Sequence, residues 1–206
     1  MLTDVQIKEL SKRMNIPLEG VYFKDELPQN LKVNKTYIIN LQDSETDEGE
    51  QNSGTHWTFL QINQTPKGLN EPFYFDSYGI PPSEIIKNTV TKCFKKHLPY
   101  SKKDIQSLMN NACGFYCLGL AHFVNSSMHR KNNFYEDCDD FLDMFDDLNF
   151  KTDFKKNEYI LKFFFQSPDK SKRIDMDKDG ILDNIVKEDH GSGIDMMKIN
   201  VDTKMI

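Results

Sequence analysis

No stretch of this chain approaches the roughly 20 consecutive apolar residues that a membrane-spanning helix needs, and residues 1–15 carry charge throughout. A chain that is neither secreted nor held in a membrane is therefore expected. Cysteine is sparse, with four residues at Cys93, Cys113, Cys117 and Cys138. A chain this long in a reducing compartment needs no disulfide framework, so free thiols are the reading. Cys113, Cys117 and His122 lack a Cys-x-x-Cys pair and leave a fourth ligand undefined, which argues against zinc. Positive charge is in deficit: 26 Lys and Arg against 32 Asp and Glu give a net charge of -6, which excludes a globally basic nucleic-acid binder. Beyond Phe165 there is no aromatic residue at all. The core is accordingly expected within residues 1–166, and 167–206 read as an acidic, aromatic-free tail unable to build one. No internal repeat is present.

What the chain does have is enough apolar residues, 38% hydrophobic and 12% aromatic, for one sizeable core. Thr3-Asp4-Val5-Gln6 has the form of a capping box that opens a helix with Ile7, Leu10 and Met14 on one face and Pro17 beyond its end. Thr36 to Leu41 is rich in β-branched and aromatic residues and predicts a strand. The polar, acidic segment 42–53 predicts an exposed loop. His56 to Ile62 alternates as a half-buried strand does, and Pro72 to Asp76 predicts its neighbour. A helix is expected after Pro81-Pro82-Ser83, with Ile85, Ile86, Val90 and Phe94 on its buried face. Asn110-Asn111 read as the cap of an apolar helix over Cys113 to Phe123, and two more helices are predicted over Phe134–Leu148 and Asn157–Gln166. The fold class is α+β: a small mixed sheet packed against a central helix.

Four residues on these elements supply a complete chemistry. Cys113 falls at a helix N-terminus, where free N–H groups and the helix dipole favour a thiolate. His56, at the edge of a strand, is placed to take the thiol proton and return it to a leaving amine. Asp76, at the end of the adjacent strand, is placed to hold the imidazole in the useful tautomer. Gln106 offers an amide N–H that, with the Cys113 backbone N–H, would face the oxygen of a tetrahedral intermediate. Gly114 would admit substrate backbone, and Trp57 would pack beside the site. Cys93, Cys117 and Cys138 read as plain apolar residues, and His97, His122, His129 and His190 as structural.

The order Gly54-Thr55-His56-Trp57, Phe75-Asp76-Ser77-Tyr78-Gly79, then Gln106 seven positions before Cys113-Gly114, resembles the adenain-like and ubiquitin-like-protein-specific cysteine proteases. It is most similar to the viral branch, the maturation proteases of adenoviruses, virophages and large DNA viruses. The acid at position 76 matches the cellular branch, since adenovirus enzymes carry Glu there. The resemblance covers most of residues 1–166 and implies a papain-like fold of adenain type. It also implies a Cys-His-Asp triad of His56, Asp76 and Cys113, with Gln106 in the oxyanion hole. The function it implies is cleavage, near glycine, of capsid or core precursors in the virion and the cytoplasmic viral factory of the host. Removal of ubiquitin or a similar modifier is the alternative within enzymes; a non-enzymatic scaffold binding calcium or a partner is the alternative outside them. No cofactor is needed for the chemistry, with an activating peptide or DNA as candidate effectors, and a monomer is the expected state.

Two further features are weighed against simpler readings. Lys87, Lys92, Lys95, Lys96, Lys102 and Lys103 occur with no acidic residue between them, a solvated face or a patch for nucleic acid or an acidic partner. Asp175, Asp177, Asp179 and Asp183 stand at positions 1, 3, 5 and 9 of a calcium-loop pattern with Gly180 at 6. Val186 occupies position 12, where a bidentate carboxylate belongs, so the calcium pattern is partial.

Overall fold

A computed structural model describes residues 1–52, 54–108, 110–126, 133–148 and 155–165. The tail and its calcium pattern at Asp175, Asp177, Asp179 and Asp183 lie outside the described residues.

Helix α1 runs over Asp4–Arg13, and its capping box forms: the Thr3 side chain accepts from the Gln6 N–H while the Gln6 side chain accepts from the Thr3 N–H. Strand β1 (Leu18–Phe23) and a short 3-10 turn (Lys24–Glu26) follow, then β2 (Lys35–Asn40), β3 (Trp57–Gln64) and β4 (Asn70–Phe75). These make a four-stranded mixed sheet in the order β1-β2-β3-β4, with β1 parallel to β2 and the other pairs antiparallel. The helices α2 (Glu84–Phe94), α3 (Cys113–Asn125), α4 (Phe134–Asp143) and α5 (Lys155–Phe163) complete the domain.

Both faces of the sheet are covered. Ile38, Trp57, Phe59, Phe73 and Phe75 share one core with α1, α3, α4 and α5, while Tyr37, Ile39, Leu60, Ile62 and Tyr74 share a second with Ile86 and Val90 of α2. This explains why β3 is buried at every position from Trp57 to Ile62 instead of being half-buried: its polar positions, Thr58 and Gln61, are buried too and satisfied by hydrogen bonds. In α2 the buried face is Ile86, Thr89 and Val90, and Ile85, expected inside, is exposed because it sits one residue, about 100°, away from Ile86. β1 has no alternating signal, every residue being half-buried beside α1, and this is why the sequence pattern does not reveal it. On the first face the aromatic rings interlock: Phe141 lies 5.0 Å from Phe145, 5.3 Å from Phe164 and 5.8 Å from Phe123, centroid to centroid.

Among the described residues, one buried carboxyl lacks a hydrogen-bond partner at both oxygens. Glu158 on α5 is fully buried, and neither of its carboxylate oxygens has a hydrogen-bond partner. Burial pushes its pKa up to about 8, so it is held as the neutral acid near neutrality. Because the unfolded chain releases this proton near 4.5 and the folded chain near 8, the side chain costs nothing at low pH; a penalty accrues as pH rises between those values and levels off above. Glu158→Gln is expected to raise the melting temperature by a margin that grows from about pH 5 to about pH 8. Thermal denaturation of both proteins across that range would show it, and a pH-independent difference would contradict the assignment.

Candidate active site

The site forms where the start of β3 meets the N-terminus of α3. Eleven of the residues from Cys113 to Val124 are buried, so α3 is apolar all round and can only be a central helix. Its first residue, Cys113, is 2% exposed and follows Ala112, a cap with no side-chain acceptor. Asn110 and Asn111 do not cap the helix as expected. Instead the Asn110 Oδ1 accepts from the Ala112 N–H at 3.3 Å, one step before the helix begins.

At its N-terminal end the helix is fastened to β3 through Trp57. The Trp57 backbone N–H donates to Cys113 Sγ at 3.4 Å, the Cys117 thiol donates to the Trp57 carbonyl at 3.4 Å, and the Trp57 indole N–H donates to the Leu2 carbonyl at 2.8 Å. Trp57 is 3% exposed and packs beside the site. Gly114 packs beside the site as well, lying against Leu2 and Trp57, with a Cβ there standing 3.2 Å from Leu2 and 3.4 Å from Trp57. Gly54, at φ +78°, is needed in the turn before β3, because a Cβ there would stand 2.5 Å from the Asn40 side chain.

His56 immediately precedes β3, its carbonyl held by the Leu41 N–H at 3.1 Å. Asp76 immediately follows β4 and is fully buried. Its Oδ2 lies 2.9 Å from His56 Nε2, and since a carboxylate can only accept, the Nε2–H donates and Nδ1 is left for the thiol. Its Oδ1 accepts from the Tyr78 N–H at 2.8 Å, so both oxygens are engaged. Burial works against charge on the imidazole, but the hydrogen bonds to Asp76 and Cys113 and their negative charge outweigh it and push His56 up to about 9. Cys117 and Cys138 are pushed up by burial, away from the thiolate form.

Gln106 is 1% exposed and pinned at both ends of its amide. The Ser77 hydroxyl donates to its Oε1 at 2.6 Å, and its Nε2 donates to the Tyr78 hydroxyl and to the Asn110 carbonyl, each at 3.0 Å. Tyr78 also stacks on the His56 ring, centroids 4.8 Å apart and planes 23° apart. Ser77 and Tyr78 were given no role from sequence alone; their position directly after Asp76, in the Asp-Ser-Tyr-Gly string, was the available signal.

The six lysines do not act as one group. Lys87 pairs with Glu84 at 2.7 Å, and Lys103 donates to the Leu142 carbonyl at 2.7 Å and faces Asp143 at 3.5 Å. Lys92, Lys95, Lys96 and Lys102 are exposed. Among the described residues no group of three His, Cys, Asp or Glu side chains could hold a metal ion, and no helix is long and apolar enough to cross a membrane.

A thiol at a helix N-terminus, an imidazole whose positive charge that thiol favours and a buried carboxylate bonded to the imidazole form a constellation suited to nucleophilic acyl transfer. No protein-family model and no curated protein matches the chain. Six chains of solved structures do, among them a crystal structure of an ASFV protease, at 13% sequence identity and a TM-score of 0.37. That match covers 68% of this chain and 63% of the ASFV chain, so this chain spans less than two thirds of that protein's length.

The raised pKa of His56 has a measurable consequence. The imidazolium state is favoured by folding fully below the unfolded value of 6.5, and that contribution is lost as pH rises through about 9. An imidazole NMR titration of His56 should show a midpoint near 9, and Asp76→Ala should move it to lower pH. A midpoint unmoved by Asp76→Ala would contradict the pairing.

Proposed function

We propose that this protein is a cysteine endopeptidase with Cys113 as nucleophile, His56 as base and then acid, and Asp76 as the group that orients the imidazole. The observation that carries the reading is His56, bonded to a fully buried carboxylate at 2.9 Å and one residue before Trp57, whose N–H donates to the Cys113 sulfur at 3.4 Å. His56 Nδ1 takes the Sγ proton, and the thiolate forms a C–S bond to the scissile carbonyl carbon as the π electrons move to oxygen. The Cys113 N–H, which has no acceptor within the helix because it opens the first turn, faces that oxygen together with the Gln106 corner of the pocket. Collapse breaks the C–N bond while His56 returns its proton to the departing amine. A water deprotonated by His56 then attacks the thioester carbon, the C–S bond breaks, and the thiol regains its proton.

The motif order favours a viral maturation protease among enzymes of this chemistry, acting on capsid or core precursors near glycine. Neutral Cys117, buried four residues along α3 and bonded to the Trp57 carbonyl, has a packing role in the same scheme.

Mass spectrometry of products from candidate capsid precursors and from ubiquitin-like conjugates tests both the activity and the substrate class. Cys113→Ala and His56→Ala are expected to lower cleavage by about 10⁴-fold or more, whereas Cys117→Ala retains it. Cuts confined to modifier conjugates would move the substrate assignment, and equal losses at both cysteines would refute the nucleophile.

A further inference from the structure

The Gln106 amide has two N–H bonds to offer, and both are already used, one on the Asn110 carbonyl and one on the Tyr78 hydroxyl. Its oxygen is held by Ser77 at 2.6 Å, so swinging the amide toward a substrate would break three hydrogen bonds around a side chain that is 1% exposed. Tyr78 is in the complementary state. Its oxygen accepts from Gln106, and among the described residues its own hydroxyl proton has no acceptor. The ring lies on His56, its backbone N–H on Asp76, and its hydroxyl on Gln106, so the phenol is fixed by three groups of the site at once. Tyr78 is half-buried, whereas Gln106 is buried.

We infer that Tyr78 is a catalytic residue: its phenol O–H, oriented and polarised by the Gln106 Nε2–H, is the side-chain donor to the oxyanion, and Gln106 is a positioning residue that acts through it. This rests on the cysteine-peptidase reading above and reassigns one donor within it. The phenol remains protonated during the reaction; it donates a hydrogen bond and transfers no proton. Burial first, and then the negative charge at Cys113, push its pKa up to about 12, so it is a donor across the working range of a thiol–imidazole pair. A donor delivered on a neutral hydroxyl with its lone pair already engaged is more polarised than an isolated phenol.

The test uses two small probes that need no knowledge of the natural substrate. Iodoacetamide alkylates a thiolate by displacement of iodide and develops no oxyanion. p-Nitrophenyl acetate acylates it: the sulfur bonds to the acetyl carbon, an oxyanion forms and collapses, and p-nitrophenolate leaves. Tyr78→Phe keeps the stacked ring and removes only the donor. It should acylate at Cys113 about 10- to 100-fold more slowly while alkylation keeps its rate and pH profile. Gln106→Ala should also slow acylation, and adding it to Tyr78→Phe should cost little more, since the amide acts through the hydroxyl. Acylation of Tyr78→Phe at or above the wild-type rate, or a full further loss when Gln106→Ala is added, would overturn the inference while leaving the nucleophile assignment intact. Absence of selective alkylation or of acylation at Cys113 in the unmodified protein would overturn the peptidase reading and this inference together.

Discussion

The placement of Cys113 depends on one residue, Trp57. Its backbone N–H reaches the Cys113 sulfur, its carbonyl takes the Cys117 thiol, and its indole N–H takes the Leu2 carbonyl. Cys113 and Cys117 are four residues apart on α3, so they stand one above the other on the same face, and the single residue at the start of β3 fits between them. The spacing therefore does two things at once. It registers the helix against the sheet, and it fixes the nucleophile next to His56, the residue before Trp57. The thiol at position 117 is neutral through burial and can donate, as a fastening group must.

Among the described residues, two fully buried carboxyl groups, Asp76 and Glu158, differ in their surroundings. Asp76 has both oxygens bonded, to the His56 ring and the Tyr78 N–H. Glu158 is as buried, has neither oxygen bonded, and is pushed up to about 8. One of the Asp76 partners comes from the turn that its own residue starts: Tyr78 N–H comes back to Oδ1, while Gly79 N–H closes the turn on the Asp76 backbone carbonyl at 2.9 Å. Gly79 can close that turn because it accepts φ +71° and because Lys102 backbone lies where a Cβ would be, 2.4 Å from it. Ser77, in the same turn, holds Gln106 through its side chain and through its carbonyl, which accepts from the Ile105 and Gln106 N–H groups. The Asp-Ser-Tyr-Gly turn thus links Asp76, His56 and Gln106.

Much of this was legible in the sequence because local and long-range signals agree. The capping box at Thr3, the β-branched run of β2 and the apolar run of α3 each state their element without help from tertiary structure. The order His56, Asp76, Gln106, Cys113 points to a candidate site, because acyl transfer uses those four residue types together. What was not legible is whatever depends on burial from both sides. β3 read as half-buried because Thr58 and Gln61 alternate with apolar residues, yet Thr58 bonds the Ile39 carbonyl and Gln61 bonds Thr36 and Asn125, which removes the reason for them to face water. The role of Tyr78 was hidden for a related reason: a tyrosine in a turn has no periodicity, and its three contacts come from residues 2, 22 and 28 positions away.

The cap of α3 argues that stability gave way to function at this point. Ala112 supplies its carbonyl to the N–H groups of Phe115 and Tyr116, at 2.9 and 3.1 Å, but offers no side-chain acceptor. Replacing an Ala cap by Ser, Thr, Asp or Asn ordinarily stabilises a helix by about 1 kcal/mol, and the sequence has such residues two and one positions earlier. A capping oxygen at 112 would accept from the N–H of Gly114 or Phe115 and place a lone pair, or a full charge, beside the Cys113 sulfur. Both consequences oppose a thiolate: the N–H that favours negative charge would be taken, and like charge would be brought near. Asn110 instead bonds the Ala112 N–H, holding the approach to the helix without entering its first turn. The helix end is left open to a developing anion, and the apolar burial of the rest of α3 supplies the stability that its cap does not.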